Sequence, residues 1–352
     1  MRNDIISVMY EVTTLEGKQK QFWTAVFVLF IVAFSVICLQ YMNMNYDPLA
    51  RYPYRDETSR ALIRKYLNQE EIEYIIEYSI PPNMFIAYIQ EEGFSIYHAA
   101  EYKQLSISQW DESPANIVKM VEETRNIMSV DQLEIYLLDN NYTYDDIHAW
   151  ISDPDEEAAT LVTYAFNPDT WLDAFHTVST RAPQLTLISG IPTRNDMPVE
   201  IHESVNSALN SLCSGMRTSL SSTRACAGLM VQEGYVSHRD QSLRYSSALQ
   251  KGQNPLLRTA EKPGHDEHQL GLAVDFMVDG IENAYFDKTI QSEWLEENAW
   301  KYGFVQTWNR DDVIMTYHDA EPWHYRYIGT DLAHTIHESG LTFARYKAQI
   351  RE

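Results

Sequence analysis

The stretch Pro263–Gly280, PGHDEHQLGLAVDFMVDG, sets His268 and Asp275 on either side of the entry to an apolar run. Read as a strand, Gly271 to Val278 alternates its side chains. Leu272, Val274, Phe276 and Val278 share one face and suit a core, while Gly271, Ala273, Asp275 and Met277 share the other. A carboxylate in such a run needs a partner, because an unpaired buried charge is too costly to keep. Small neighbours leave room beside Asp275, and His268, just before the strand, can turn its imidazole into the same space. Histidine and aspartate are good zinc ligands, so a metal ion is one candidate partner.

A third donor is offered downstream by EPWHYRY, where His324 can hold a metal while Glu321, in the same turn, takes a proton from water. The pair alone is unspecific. Asp145/His148, Asp173/His176 and Asp331/His334 repeat its spacing without a supporting motif, so its weight comes from the company of the first stretch. His265 and His318 read as pocket-edge or surface histidines, since two His, one Asp and a water complete a four-coordinate catalytic site.

Around these motifs the chain carries mixed elements. LTLISG (Leu185 to Gly190) and GLMVQEGY (Gly228 to Tyr235) read as strands, and FVQTW and WHYRYIG as two more. Ile201 to Met216 has helical periodicity, Gln241 to Leu249 is helical, and a helix from Gln291 to Tyr302 is closed by Gly303. This mixture predicts an α+β domain built on a mixed or antiparallel sheet, over residues 185–352. Within residues 43–184, from about Thr58 to Ala182, the chain repeats a different device, an apolar residue before Asn, Ser or Thr and another apolar or small residue four positions on. Leu67/Asn68/Ile72, Phe94/Ser95/Ala99, Tyr142/Thr143/Ile147 and Phe166/Asn167/Trp171 all fit a capped helix with a hydrophobic staple. Short helices in series, an all-helical stalk, are expected there.

The run FWTAVFVLFIVAFSVICL (Phe22–Leu39) has no charge and suits a membrane-spanning helix over residues 22–42, behind a tail of residues 1–21. It is too long for the core of a cleaved signal peptide, and no small-x-small cleavage site follows it. Lys18 and Lys20 on its near side favour a cytoplasmic N-terminus and an exported bulk, against a weaker opposing vote from Arg51 and Arg55. A formal net charge of −23 argues against a nucleic-acid partner, since phosphate backbones are held by Lys and Arg. Of the three cysteines, Cys213 and Cys226 read as free buried thiols, with a disulfide as the alternative for an exported chain.

Taken together, EHQLGLAVDF and EPWHYRYIG resemble the VanY-type D-alanyl-D-alanine carboxypeptidases, within a zinc peptidase group that includes lysostaphin-like endopeptidases and the hedgehog fold. The resemblance covers roughly Leu185 to Gly329. It implies His268, Asp275 and His324 as Zn²⁺ ligands and Glu321 as catalytic base. Gln241, in GYVSHRDQ, matches the family's GYRSxxxQ and implies a cleft-lining role, with Ser237, Asp266 and Trp323 as further substrate-binding positions. The anchor and helical stalk resemble membrane-bound members from thick-walled bacteria. The implied substrate is therefore the peptidoglycan stem peptide, met outside the cell.

Two departures stand out: Val236 occupies the family's Arg position, and Asp266 the Ser position two before the first histidine ligand. Valine removes a bidentate carboxylate partner, and an aspartate repels an anion. Arg239 or Arg244 are the candidates to restore the charge. A D-Ala-D-Ala carboxypeptidase is thus the leading expectation. A peptidoglycan endopeptidase or L,D-carboxypeptidase, and a non-catalytic wall-binding protein on the same fold, are the rivals; the complete ligand set and Glu321 weigh against the last.

Overall fold

The computed structural model describes residues 2–44, 46–50, 53–138, 142–153, 159–252 and 260–350, with side chains from residue 17 onward; Arg51 lies outside these. Helix α1 (Arg2–Met44) contains the apolar run, and its part Gly17–Met44 is long and apolar enough to cross a membrane. At 1.5 Å per residue the stretch Phe22 to Leu39 alone extends about 27 Å, close to the hydrocarbon thickness of a bilayer. Its side chains, Phe22, Leu29 and Phe34 among them, are exposed.

The chain forms two compact units, Met1–Ser106 with Glu112–Val118, and Ile107–Asp111 with Lys119–Glu352. In the first, helices α2 (Glu57–Tyr66) and α3 (Gln69–Glu77) pack with α4 (Ala99–Ser108) around Ile63, Ile75, Phe85 and Ile96. Asp56 caps α2 through the Ser59 amide (2.7 Å). Asn68 and Glu71 make a reciprocal capping box on α3 (3.0 and 2.8 Å), and the staple residues Leu67 and Ile72 are both buried. Ser95 precedes only a 3₁₀ turn, Ile96–His98, and makes no capping bond with its side chain. Helix α5 (Pro114–Thr124) belongs partly to each unit.

The second unit begins with α6 (Val130–Leu137), capped by a Ser129/Gln132 box, and α7 (Tyr144–Ile151), capped by Thr143/Asp146. The Phe166/Asn167/Trp171 motif starts no helix. Here tertiary packing overrides the local pattern, because Trp171 is drawn into a core with Ile328, Ile336 and Phe343. The chain is instead extended at β1 (Thr160–Leu161) and β2 (His176–Thr177), which pair in parallel.

Beyond Ala182 come an antiparallel pair, β3 (Leu185–Leu187) and β4 (Glu200–His202), then α8 (Val205–Ser219), β5 (Leu229–Glu233), α9 (His238–Gln250) and β6 (Ala273–Val278). Next are α10 (Ile290–Asn298), β7 (Phe304–Val305), α11 (Val313–Thr316), β8 (His324–Tyr327), α12 (Thr330–Ser339) and α13 (Phe343–Gln349). Strands β5, β6, β8 and β7, in that order, form a fully antiparallel four-stranded sheet. FVQTW contributes only Phe304 and Val305 to it. The 291–302 helix ends at Asn298 and tightens to a 3₁₀ turn before Gly303, whose φ of 86° closes it.

The free-thiol expectation is corrected: Cys213 on α8 and Cys226 form a disulfide, their Cα atoms 4.5 Å apart. Cys226 lies in the tight turn Ala225–Gly228 just before β5, and α8 packs against that turn, which brings the two sulfurs together.

Candidate metal and catalytic site

The site is built on the middle of the sheet. Register places Asp275 on β6 opposite His324 on β8 and Glu233 on β5. His268 comes from the 3₁₀ turn Glu267–Leu270, which Gly271 ends at φ 66° before the chain enters β6. A Cβ on Gly271 would lie 2.8 Å from the backbone nitrogen of His202, so this close crossing over β4 requires glycine. Gly234 is held as closely, since its Cβ would stand 2.4 Å from the Glu200 carbonyl oxygen. Its own carbonyl accepts the Nδ1–H of His268 (2.6 Å). That bond leaves Nε2 of His268 facing Asp275 Oδ1, 3.3 Å away.

His324 approaches the same carboxylate oxygen with Nδ1, at 3.0 Å. One donor atom each from His268, Asp275 and His324 therefore fall within 4.8 Å of one another, on three buried side chains. An ion about 2.0–2.1 Å from tetrahedrally placed donors separates those donors by about 3.3 Å. The observed spacings fit such an ion, and two imidazoles with one carboxylate suit a divalent transition metal.

The two imidazoles and the carboxylate favour one another's charged forms. Burial opposes protonation of the imidazoles, but Asp275 outweighs it and lifts His268 to about 10 and His324 to about 9. Burial likewise opposes ionisation of Asp275, and the two imidazoles win, holding its carboxyl well below the usual range. Glu321 differs. It is half-buried, and burial, helped by the charge of Asp275, raises its carboxyl to about 7 against the pull of His324 and His268. Its backbone is pinned by Trp308, whose carbonyl takes the Glu321 amide (2.9 Å), and by the His324 amide bonding back to Glu321 (3.0 Å).

The remaining expected site residues are less uniform. Gln241 is fully buried on α9, its Nε2 donating to the Glu261 carbonyl (2.6 Å). Ser237 caps α9, accepting from the Asp240 amide and donating to the Asp240 carboxylate. Asp266 is buried and caps the His268 turn, taking the His268 amide at 2.8 Å; burial raises its pKa. Trp323 is half-buried, and its carbonyl takes the Phe276 amide. Val236 is buried, with its amide on the His268 carbonyl. Arg244 is bound through both terminal nitrogens to Glu233 (2.7 and 2.6 Å), and Arg239 is exposed.

His265 and His318 are corrected from pocket-edge or surface positions to buried ones. Each finds a carbonyl for Nδ1, Asp173 at 2.6 Å and Asp319 at 2.7 Å. His318 also stacks on Trp308, ring centroids 3.7 Å apart, and burial pushes it down to about 4, so it stays neutral.

Sequence reading missed Glu267, Arg326, Thr307 and Trp308. Glu267 takes the Nε2–H of His324 (3.0 Å), the Thr307 hydroxyl (2.5 Å) and the Arg326 guanidinium (2.8 Å), all buried. The other face of the network is Trp308, stacked 3.7 Å from the His324 ring. A signal was present: in HYRY, Arg326 follows His324 by two and shares its strand face, and a buried arginine demands a carboxylate.

With this geometry in view, residues 201–330 match the family model described as VanY: D-alanyl-D-alanine carboxypeptidase. The chain is 32% identical over 128 residues to the putative carboxypeptidase YodJ of Bacillus subtilis, covering 35% of this chain and 47% of that protein. It is 42% identical over 84 residues to a D-alanyl-D-alanine carboxypeptidase of Enterococcus faecalis, covering 24% of this chain and 30% of that one. The chain thus spans less than half the length of either relative. Among solved structures it is similar to the LdcB LD-carboxypeptidase, with a TM-score of 0.49 and 23% identity over 55% of this chain and 91% of that one.

Proposed function

We propose that this chain, whose residues 201–330 form a VanY-type domain, is a membrane-anchored zinc peptidase of the cell exterior that cleaves D-amino-acid-containing peptidoglycan stem peptides. The leading form of the reaction is release of terminal D-alanine. The observation that carries the reading is the buried triangle of His268, Asp275 and His324 with the half-buried carboxyl of Glu321 beside it. Helix α1 supplies the anchor, and the disulfide suits an oxidising exterior.

His268, Asp275 and His324 would hold the ion. Zinc bound there would supply Lewis acidity, acidifying a water to a pKa near 7 and polarising the scissile carbonyl. Glu321 takes one proton from the attacking water as its oxygen bonds to the carbonyl carbon. It returns that proton to the departing amine as the C–N bond breaks, so acid and amine leave with the base restored. A carboxyl raised to about 7 by burial is matched to both halves of that cycle near neutrality. Asp275, ionised between two imidazoles, sits on β6 opposite His324 and ties the centre to the sheet. Trp308, stacked on His324, keeps that imidazole in plane.

A second reading, an endopeptidase or L,D-carboxypeptidase, is favoured by one observation. Val236 is buried where an arginine would receive a carboxylate, and Arg244 is already engaged with Glu233. Incubating the purified full chain in detergent with defined muropeptides, with and without chelator, and weighing the products separates the readings. Loss of D-alanine from a D-Ala-D-Ala terminus supports the first; cleavage inside a crosslink, or of the bond between an L-residue and a terminal D-alanine, supports the second. No zinc-dependent product from any muropeptide would sink both. Val236→Arg with Asp266→Ser should raise release of terminal D-alanine if the carboxylate contact is what the chain has lost.

A further inference from the structure

We infer that Glu267 is a positioning residue for His324, fixing which ring nitrogen faces the donor triangle; the inference rests on the zinc reading above. Glu267 stands outside the triangle. It is 1% exposed, and the guanidinium of Arg326, fully buried, donates to its Oε1 at 2.8 Å. That guanidinium pairs with the carboxylate inside the core and the Thr307 hydroxyl donates to it as well, so Glu267 stands as an acceptor. An ionised carboxylate only accepts. Its Oε2, 3.0 Å from His324 Nε2, therefore requires the proton on Nε2, so Nδ1, the nitrogen beside Asp275, is the one that would give its lone pair to an ion.

Two further contacts make this orientation specific. Thr307 donates its hydroxyl to the same Oε2 at 2.5 Å, fixing the carboxylate's plane. Trp308 lies 3.7 Å from the His324 ring at an interplanar angle of 15°, so the stack holds the imidazole in the plane in which Nε2 meets Glu267 and Nδ1 meets Asp275. Arg326 is itself tethered, through the Pro168 carbonyl at 3.3 Å. A carboxylate on the outer nitrogen of a metal-binding histidine orients the ring and raises its basicity. His268 receives the weaker version of the same device, a backbone carbonyl. Glu267 thus gives His324 a charged acceptor where His268 has a neutral one, and the countercharge of Glu267, Arg326, comes from the core rather than from solvent.

The test uses the full chain in detergent. Glu267→Gln alone strands the buried Arg326 charge and endangers the fold. It is therefore paired with the double variant Glu267→Gln, Arg326→Met, which removes both charges at similar volume. Zinc affinity is read by competition with a chromophoric chelator, cobalt(II) loaded in place of zinc reports its visible bands, and the thermal transition is recorded metal-free. The double variant should keep the metal-free transition, bind zinc about 10- to 100-fold more weakly and shift the cobalt bands. On a cleaved muropeptide, kcat should fall with KM unchanged. Zinc affinity and cobalt bands equal to wild type in the double variant would overturn the inference while leaving the zinc reading intact. So would loss of the metal-free fold in both variants, which would make the Glu267–Arg326 pair purely structural. A wild-type chain with no zinc site that His324→Ala abolishes would instead sink the zinc reading itself.

Discussion

Glu321→Gln separates the two jobs of the site. Glutamine keeps the shape and both backbone bonds of Glu321, to the Trp308 carbonyl and from the His324 amide, and Glu321 lies outside the donor triangle. Fold and zinc content should therefore be unchanged. What is lost is a base, and general-base catalysis is worth about 10²- to 10⁴-fold, or roughly 2.7–5.4 kcal/mol of barrier. The pH profile gives a second arm. Burial, with Asp275, raises Glu321 to about 7, and the base works only when ionised, so kcat should fall as pH drops through that value. A bound cation favours the carboxylate, so in the zinc-loaded protein this acid limb should lie at or below about pH 7. The limb should vanish from whatever activity Glu321→Gln retains. Turnover is followed by mass spectrometry of muropeptides, and metal by elemental analysis of the same samples. Near-normal turnover in Glu321→Gln, with zinc still bound, would refute the assignment of the base.

Replacing His268, Asp275 or His324 by Ala should each abolish stoichiometric zinc, and full occupancy in any one removes that residue from the ligand set. Gly271→Ala should cost about 2–5 kcal/mol, combining a left-handed alanine with overpacking against the His202 backbone; an unchanged thermal transition and zinc content would show that the turn before β6 tolerates a side chain. Converting Cys213 and Cys226 to Ser opens a 13-residue link worth about 3 kcal/mol, and should lower the melting temperature by roughly 6–12 °C. If wild type melts no higher than that double variant, the link is absent in the native protein. Protease added to wall-stripped cells should digest the domain after α1, and its protection would place that domain in the cytoplasm.

The local sequence was enough for features set by near neighbours. Alternation named the core face of Gly271 to Val278, the absence of charge from Phe22 to Leu39 named a spanning-length helix, and Asn68 and Thr143, each between an apolar pair, named their caps. In each case the partners lie within a few residues, so chain stereochemistry alone brings them together. The failures lie where distant segments compete. Phe166/Asn167/Trp171 has the same local pattern, yet Trp171 is claimed by Phe343 and no helix starts. Cys213 and Cys226 looked like buried thiols until α8 packed on the turn before β5. Which carboxylate answers Arg326 was equally unreadable, because Glu267 is 59 residues away and reaches it only when β6 and β8 pair in one register. Motif spacing could nominate His268, Asp275 and His324, but that register alone decides that their donor atoms converge, since a slip of one residue would turn Asp275 to the opposite face of the sheet.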